Sequence, residues 1–391
     1  FHFGYKGDKV LKLIFVSNIL NHHQIELCKE FQKQFDDFYF VTTEDVDTIG
    51  YQVSQDAKYV LHYYDSNEKE KVKKEVIEAD VVIFGSCPND LISLRMEYNK
   101  LSFLYSEHFL KKGAWRLCIP RTRKKIMKRI GQYSDKNIYV LCASAYTAYD
   151  LSLIGFPKEK CFKWGYFPEM KNYKMNELLE MKKNKKFKIL WVGRFLDWKH
   201  PELAIKLAEK LCSNKIIFEM IMIGDGPLKE KIRKLLEKKE LKNYVHLAGT
   251  KTPLQVREYM EKADMFLMTS NYYEGWGAVI NEAMNSGCAV LASHTAGATP
   301  YLIDDGLNGA VFKFPDINML YAKTKKYIES TDYLKRTQIM ANKSISDIWN
   351  AKNAALNFKE LVNLINEDRK NCIEFGPCSP AEILKKNWYK G

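Results

Sequence analysis

The strongest constraint on the fold of this chain is an alternation of short apolar runs with longer amphipathic stretches. Residues 10–17 are almost all apolar, as in a strand buried on both faces, and residues 24–35 carry apolar side chains at helical spacing. Further strands are predicted at 38–42, 58–63, 80–86, 101–106 and 138–144. Strands that alternate with amphipathic helices predict a parallel sheet covered on both faces.

The alternation starts again at residue 187, after a polar and charged segment at 171–186 that we interpret as a linker. The second series consists of strands at 188–192, 216–223, 244–248, 265–269 and 288–292, with helices at 201–212, 228–239, 253–261, 278–286 and from 317 onward. A chain of 391 residues is long enough for two ordinary domains. The sequence therefore predicts an α/β chain of two facing Rossmann-like domains, 1–170 and 187–344, with a ligand cleft between them. The tail, 345–391, is expected to pack back on the first domain.

Two carboxylates flank a Gly-x-Gly turn that leads into a predicted helix. Glu274 precedes the turn, and Glu282 lies eight residues further on, inside the helix. The free N–H groups and the positive dipole end of a helix attract phosphate, so the two carboxylates are placed for hydroxyls on either side of a diphosphate. That combination describes a nucleotide sugar. An exposed helix residue and a carboxylate near a helix N-terminus produce the same pattern, and spacing alone does not separate the two interpretations.

A second candidate site follows the first strand of the second domain. Gly193 at the strand end lets a ligand approach the backbone, while Arg194 and Lys199 supply a planar fork and a mobile charge for phosphate oxygens. In a chain with 61 Lys and Arg residues, the alternative is that both are solvated surface charges. A third motif, Gly224-Asp-Gly-Pro227, is neither a dinucleotide fingerprint nor a P-loop, and by itself indicates a tight turn.

In their order and spacing, these motifs resemble the C-terminal domain of retaining GT-B glycosyltransferases of family four. The resemblance covers residues 187–330 and rests on Val192-Gly-Arg194 with Lys199, Ile223-Gly-Asp-Gly-Pro227, Ala263-Asp264, the pair Glu274 and Glu282, and Gly287-Cys-Ala-Val-Leu-Ala-Ser293. Residues 102–168 look like bacterial polysaccharide-synthesis members of the same group. The resemblance implies a GT-B fold and a retaining enzyme of hexosyltransferase type. Such an enzyme moves a sugar from a nucleoside-diphosphate sugar to a hydroxyl of a glycan or lipid-linked acceptor.

The resemblance also implies roles for individual residues. Arg194 and Lys199 would hold the donor diphosphate, Glu282 the ribose hydroxyls, and Glu274 the donor sugar. The remaining donor-binding positions that it implies are Gly193, Gly224, Gly226, Gly275, Trp276, Gly277 and Ala278. Trp276 stands where the family usually has Phe. Glu274, Arg194 and Lys199 are the catalytic candidates, and no cofactor or metal is expected.

The first domain matches the family less well. The loop after its first strand contains His22 and His23 instead of the usual glycines, and these are candidates for acceptor or phosphate binding. Surface or satisfied polar histidines are the alternative. The family commonly keeps a His near the sugar after the strand at 101–106, where this chain has Glu107 and His108. We keep both as candidates.

The basic excess of the chain, +13, is concentrated in one segment. Residues 107–130 contain nine basic residues and one acidic residue, a net charge of +8, interleaved with apolar ones. This composition suits an anionic membrane surface, and a solvated helix with its apolar face in the core is the alternative. Nucleic-acid binding is not expected, because no recognition motif accompanies the charge.

Other features predict a reducing compartment and no metal. Nine cysteines are scattered without a Cys-x-x-Cys pair, which favours reduced thiols. No apolar stretch of about 18 residues and no signal peptide occur, so the expected location is cytoplasmic, peripheral on the inner face of the membrane. Asp45-Val-Asp47 is interpreted as a chance pair, and no cluster of His, Cys and Asp has ligand spacing.

The leading hypothesis is therefore a glycosyltransferase of cell-surface or exopolysaccharide biosynthesis. A GT-B-type sugar-nucleotide epimerase is the alternative enzyme, and it would form product without an acceptor. A non-catalytic basic protein that binds membrane or nucleic acid is the alternative from another class. Such a protein would show no shift in melting temperature with nucleotide sugars.

Overall fold

The chain forms two compact units in the computed structural model, which describes residues 11–45, 57–183 and 186–391. The first unit contains the residues up to Ala143, Thr147–Glu169 and Ala351–Ile383. The second contains Ser144–Tyr146, Met170–Asn350 and Leu384–Gly391. Each unit is built on one parallel sheet with helices around it, the class that the alternating pattern predicts.

The sheet of the first unit has seven strands in the order β3-β2-β1-β4-β5-β6-β7, and every pair is parallel. Its strands are β1 Lys12–Ser17, β2 Asp37–Thr42, β3 Val60–His62, β4 Val81–Phe84, β5 Ser102–Ser106, β6 Ile138–Cys142 and β7 Cys161–Lys163. Its helices are α1 His22–Gln34, α2 Lys69–Glu78, α3 Asn89–Glu97, α4 Pro120–Arg129, α5 Thr147–Ser152 and α14 Ala351–Asn366. Parallel strands buried on both faces explain why the apolar runs show no alternation.

The last helix of the chain completes the core of the first unit. Phe358 of α14 packs against the rings of Phe31 on α1, Phe35 directly after α1, Phe103 on β5, and Trp164. All five side chains are almost fully buried. An aromatic cluster of this size buries a large apolar area, so α14 is an integral part of the first unit.

The sheet of the second unit has six parallel strands in the order β10-β9-β8-β11-β12-β13. Its strands are β8 Phe187–Val192, β9 Phe218–Ile223, β10 Val245–Gly249, β11 Met265–Met268, β12 Ala289–Ser293 and β13 Ala310–Phe312. Its helices are α6 Met175–Met181, α7 Pro201–Ser213, α8 Lys229–Lys238, α9 Pro253–Lys262, α10 Val279–Asn285, α11 Thr299–Leu302, α12 Ile317–Glu329 and α13 Thr331–Lys343.

Residues 171–186 are not the linker that their composition indicates. They contain α6, which packs on the second unit through the buried Leu178. Lys182, also buried, donates two hydrogen bonds of 2.8 Å to the carbonyls of Met260 and Ala263 at the end of α9. A lysine used to satisfy carbonyls at a helix end looks like a solvated charge in the sequence, which explains the error.

The sequence predicts that residues 345–391 pack on the first unit as one segment, whereas the structure divides them between the two units. Ala351–Ile383 belong to the first unit, while the residues before Ala351 and those from Leu384 onward belong to the second. In the described parts of the chain, no helix combines the length and apolar composition that a membrane span requires. The Asp45-Val-Asp47 pair is only half described, because Asp47 lies outside the described residues.

Candidate active site

Lys199 and Glu274 meet at the carboxyl end of the second sheet. Lys199 follows β8 and Glu274 follows β11, and these two strands are neighbours. The ammonium of Lys199 donates a hydrogen bond to the Glu274 carboxylate, and Ser270 Oγ donates to the same oxygen at 3.0 Å. The side chains are only 19% and 13% exposed. Two residues that the sequence places 75 positions apart therefore form one shielded charge pair.

The loop that carries Lys199 is held by Thr269, the residue that directly follows β11. Thr269 Oγ1 donates to the Lys199 carbonyl at 2.6 Å and accepts from Trp191 Nε1 at 2.9 Å. The next residue, His200, lies in the left-handed region with φ 49° and is bound on both sides of its ring, by Glu202 and by Asn271. These bonds fix the position of the Lys199 backbone independently of the ion pair.

Arg194 is exposed, and its guanidinium has no ion pair or hydrogen bond to any residue that the structure describes. It lies two residues after the end of β8, on the same loop as Lys199. The structure therefore brings Lys199 and Glu274 into contact, while Arg194 has no partner in the described part of the chain. A cation in this state is available to an anionic ligand.

Gly224 and Gly226 have a structural role that the donor-binding assignment does not describe. A Cβ at residue 224 would lie 1.9 Å from the carbonyl oxygen of Gly193, and one at residue 226 would lie 2.8 Å from the Phe195 carbonyl oxygen. Both glycines have positive φ, +136° and +151°. They allow the loop after β9 to lie directly against the loop after β8, so they position Gly193 and Arg194.

The turn at 274–278 rests on a glycine that the sequence reasoning missed. A Cβ at Gly297 would lie 1.7 Å from the Gly275 carbonyl oxygen, and the Gly297 N–H donates to the Glu274 carbonyl at 3.3 Å. Gly277 in the turn has φ +96°, and α10 begins two residues later. The only sequence signal for this contact is the run of small residues at 295–298 after β12.

The side chain of Trp276 belongs to the core, which leaves its backbone for the donor contact that the resemblance implies. It is 1% exposed, packs against the rings of Tyr301 and Trp349, and donates from Nε1 to Asn281 Oδ1 at 2.9 Å. Its backbone carbonyl accepts from Ala298. The buried aromatic ring therefore anchors the turn to the core of the second unit.

Glu282 is the fourth residue of α10, and its carboxylate has no hydrogen bond to the described part of the chain. Burial raises its pKa from the ordinary value, an effect that the charge of Arg257 opposes. Arg257 itself donates to the Glu282 carbonyl and to Asn285 Oδ1, both at 3.0 Å. A shielded carboxylate without a donor is suited to accept hydrogen bonds from ligand hydroxyls.

The first unit contains its own cavity, of about 1060 Å³, at the carboxyl ends of β1, β4 and β5. Polar and basic side chains that line it include Ser17, Asn18, Asn21, Gln24, Ser86, Asn89, Ser106, Glu107, Arg116, Arg121, Lys125, Arg129 and Tyr166. Most of these were not sequence candidates, because a single serine or asparagine after a strand carries no distinctive signal. Ligands of parallel sheets bind at this edge.

The structure separates Glu107 from His108. Glu107 lines the cavity and accepts from Lys111 Nζ at 2.8 Å and from the Tyr166 hydroxyl at 3.0 Å. His108 is 1% exposed and does not belong to the lining of the cavity, so it is not positioned to touch a ligand bound there. The segment is fixed by Asp150, whose carboxylate accepts from the next two backbone N–H groups, of Phe109 and Leu110.

His22 and His23 do not line the cavity either; Asn18, Asn21 and Gln24 of the same loop do. Asn21 and Gln24 form a reciprocal cap at the start of α1. Burial, with a smaller contribution from His22, lowers the pKa of His23 to about 3, and burial also lowers the pKa of His22. His23 is therefore neutral at neutral pH, and the acceptor or phosphate role of the two histidines stays a prediction.

Comparison with known proteins relates the second unit to one family. Residues 179–344 match the family described as "Glycosyl transferases group 1". The amylovoran biosynthesis glycosyltransferase AmsK of Erwinia amylovora is 29% identical over 181 residues, 44% of this chain and 43% of that protein. Protein CapJ of Staphylococcus aureus is 29% identical over 202 residues, 49% of each chain. The chain thus spans about half the length of the curated relatives it matches.

The fold is similar over nearly the whole chain to that of solved glycosyltransferases. The crystal structure of Anabaena HepE in complex with UDP and glucose has a TM-score of 0.65 and 16% sequence identity, over 90% of this chain and 99% of that one. The lipopolysaccharide outer core galactosyltransferase WaaB has a TM-score of 0.67 and 16% identity, over 92% and 100%. The two parallel-sheet units of this chain have the GT-B fold.

Proposed function

We propose that this chain, which carries a glycosyl transferases group 1 domain at residues 179–344, is a glycosyltransferase of the retaining, hexosyltransferase type. It moves a sugar from a nucleoside-diphosphate sugar to a hydroxyl of a glycan or lipid-linked acceptor, in cell-surface or exopolysaccharide biosynthesis. The observation that carries the proposal is the shielded pair of Lys199 and Glu274 at the carboxyl edge of the domain that matches the family.

The donor is proposed to bind at this edge. Lys199 has three N–H donors, so it can keep its bond to Glu274 and also bind a phosphate oxygen. The unpaired Arg194 on the same loop supplies a second cation. Glu282, which lacks a donor among the described residues, accepts from the ribose hydroxyls, and Glu274 accepts from a hydroxyl of the transferred sugar. Comparable solved structures hold UDP and glucose.

The reaction breaks the bond between the anomeric carbon and the diphosphate oxygen. The acceptor oxygen forms a new bond to that carbon on the same face, and its proton passes to the departing phosphate. Lys199 and Arg194 stabilise the negative charge that develops on the diphosphate. No side-chain nucleophile and no metal takes part in this route, and the products are a nucleoside diphosphate and a glycoside with retained configuration.

The acceptor is proposed to bind in the cavity of the first unit, beside Glu107 and Tyr166. A second part of the proposal is that the enzyme is cytoplasmic and associates with an anionic membrane surface through residues 107–130. The segment exposes the apolar residues Trp115 and Ile119 as well as cations such as Lys124 and Lys128, which supports it.

The test is a thermal-shift panel of UDP-, GDP- and ADP-sugars, followed by transfer assays with any donor that binds. We expect one donor to raise the melting temperature of the wild type and not that of Glu282→Ala, whereas the exposed-site control Glu258→Ala behaves as the wild type. No shift with any donor would overturn the proposal. Product that forms without acceptor, as an altered nucleotide sugar, would instead identify an epimerase.

A further inference from the structure

The cavity of the first unit has a row of cations along one wall. Arg121, Lys125 and Arg129 are spaced four residues apart on α4 and therefore share one face of the helix. Arg116, from the short 3-10 turn Ala114–Cys118 before α4, adds a fourth. The same helix exposes three further cations, Arg123, Lys124 and Lys128, that do not line the cavity.

One of the four cavity cations has a structural role. The guanidinium of Arg129 donates to the carbonyls of Gly85 and Cys87, both at 2.6 Å, and to Asn89 Oδ1 at 2.9 Å. These bonds tie α4 to the loop after β4. All three acceptors are neutral, so the charge of Arg129 is not compensated by them.

The other three cations have no counter-charge among the residues that the structure describes. None of Arg116, Arg121 and Lys125 has a carboxylate within ion-pair distance, and Arg116 Nε is buried without a hydrogen-bond partner. Glu107 is the one described carboxylate that lines the cavity, and it is already bound by Lys111 and Tyr166. The cavity therefore carries an excess of positive charge that its own walls do not neutralise.

Other side chains of the lining are polar and neutral. They include Asn18 after β1 and Ser86 after β4, which can exchange hydrogen bonds with sugar hydroxyls; we call these two residues the neutral wall. At about 1060 Å³ the cavity lies at the upper end of ligand-site volumes, so it has room for a sugar ring together with a phosphate.

We propose that this cavity binds a phosphate-bearing acceptor, with Arg116, Arg121 and Lys125 on the phosphate oxygens and the neutral wall on the attached sugar. Guanidinium groups bind phosphate through paired hydrogen bonds, and a neutral glycan would leave the three cations without partners. The inference rests on the proposed function, since it names the acceptor class of the same enzyme. A soluble sugar phosphate and a lipid-linked sugar diphosphate share this chemistry.

The test measures binding by calorimetry to protein saturated with the nucleoside diphosphate that the donor panel identifies, so that the donor site is occupied. The probes are glucose, glucose 1-phosphate, and the geranyl ester of glucose 1-phosphate, which adds an isoprenoid without a second phosphate. The variants are R121Q/K125Q on the cavity face and, as the matched control, K124Q/K128Q on the outer face of the same helix. All four positions are exposed, so both variants are expected to keep the fold, which melting temperatures check.

We expect glucose 1-phosphate to bind at least about tenfold more tightly than glucose, and R121Q/K125Q to lose about tenfold or more while K124Q/K128Q does not change. Tighter binding of the geranyl ester identifies a lipid-linked acceptor, and equal binding a soluble one; both support the proposal. Equal binding of glucose and glucose 1-phosphate, or equal losses in the two variants, overturns it. If no nucleotide binds, the proposed function fails, and the same titrations without nucleotide still decide whether the cavity binds phosphate.

Discussion

Lys199 and Glu274 form an ion pair that joins the loops after two neighbouring parallel strands, β8 and β11. Each loop is fixed by backbone contacts of its own, through Thr269 on one side and Gly297 on the other. The two loops are therefore held in place without the ion pair, and the ion pair adds one positive and one negative charge to them.

Lys199→Met is expected to lower both activity and stability. The variant leaves the Glu274 carboxylate shielded and without its cation, which costs about 1–3 kcal/mol in the free energy of unfolding. Loss of the phosphate contact is expected to reduce transfer about 100-fold or more. Urea denaturation and initial rates measure the two effects, and Lys231→Met on the exposed face of α8 is the control. If the double variant Lys199→Met/Glu274→Gln recovers none of the lost stability, the charge pair is not the cause.

Glu282→Gln is expected to raise stability at neutral pH while it weakens donor binding. Because burial raises the pKa of Glu282 in the folded protein, ionisation costs stability as pH rises through the unfolded and then the folded pKa. The gain over the wild type should therefore appear at neutral pH and vanish at or below the ordinary pKa of about 4.3. Denaturation midpoints at both pH values check this, with Glu258→Gln as the exposed control. A gain that is the same at both pH values contradicts the assignment.

His23 is expected to make the first unit sensitive to acid. Its pKa is lowered to about 3 in the folded protein, so only the unfolded chain takes up the proton as pH falls below the ordinary value of about 6.5. The free energy of unfolding should then fall by up to about 1.4 kcal/mol per pH unit between these values. His23→Gln should flatten this slope, whereas the exposed His246→Gln should not. Equal slopes in all three proteins would show that His23 takes up its proton without cost.

Gly224→Ala is expected to disrupt the loops that carry Arg194 and Lys199. The new methyl group would overlap the Gly193 carbonyl, at a cost of about 1–3 kcal/mol from overpacking in addition to the strain of positive φ. Gly249→Ala is the matched control, since Gly249 also has positive φ, +69°, but nothing lies within 4 Å of its Cβ position. The difference in melting temperature between the two variants isolates the steric contribution. Equal melting temperatures would mean that the two loops separate easily.

Residues on the outer face of α4 are expected to control membrane association. Lys124→Glu/Lys128→Glu should reduce co-sedimentation with vesicles that contain phosphatidylglycerol, because each cation near an anionic surface contributes about 1 kcal/mol. Vesicles of phosphatidylcholine alone should bind neither protein. R121Q/K125Q should bind the anionic vesicles more tightly than Lys124→Glu/Lys128→Glu does. Unchanged sedimentation of the outer-face variant would remove α4 from the membrane proposal.

The sequence was sufficient for elements that form a long apolar run or carry apolar residues at helical spacing. The strand predicted at 10–17 is β1 Lys12–Ser17, and the helix predicted at 24–35 begins two residues earlier because Asn21 caps it. Two three-residue strands, Cys161–Lys163 and Ala310–Phe312, were missed because so short a run shows no periodicity. The segment at 171–186 was misread because Lys182 is buried by contacts 78 and 81 residues away.

The sequence motifs identified candidate residues of the site, but they did not show how these residues are arranged in space. Lys199 and Glu274 were found as separate candidates, but only the parallel pairing of β8 and β11 brings them together. The choice between Glu107 and His108 depends on which way each side chain turns after the end of a strand, and composition does not determine that. Likewise the basic segment was visible at 107–130, whereas its division into cavity and outer faces required the start of α4 at Pro120.

The position of α14 has a consequence for biosynthesis. A chain emerges from the ribosome N-terminus first, so every strand of the first unit is made long before Phe358. Until Phe358 is made, the space between Phe31, Phe103 and Trp164 stays unfilled. Removal of a buried Phe side chain lowers the free energy of unfolding by about 3–5 kcal/mol. The first unit therefore cannot complete its core until α14 has been made, and a nascent chain that stalls before residue 351 exposes aromatic surface to chaperones and proteases.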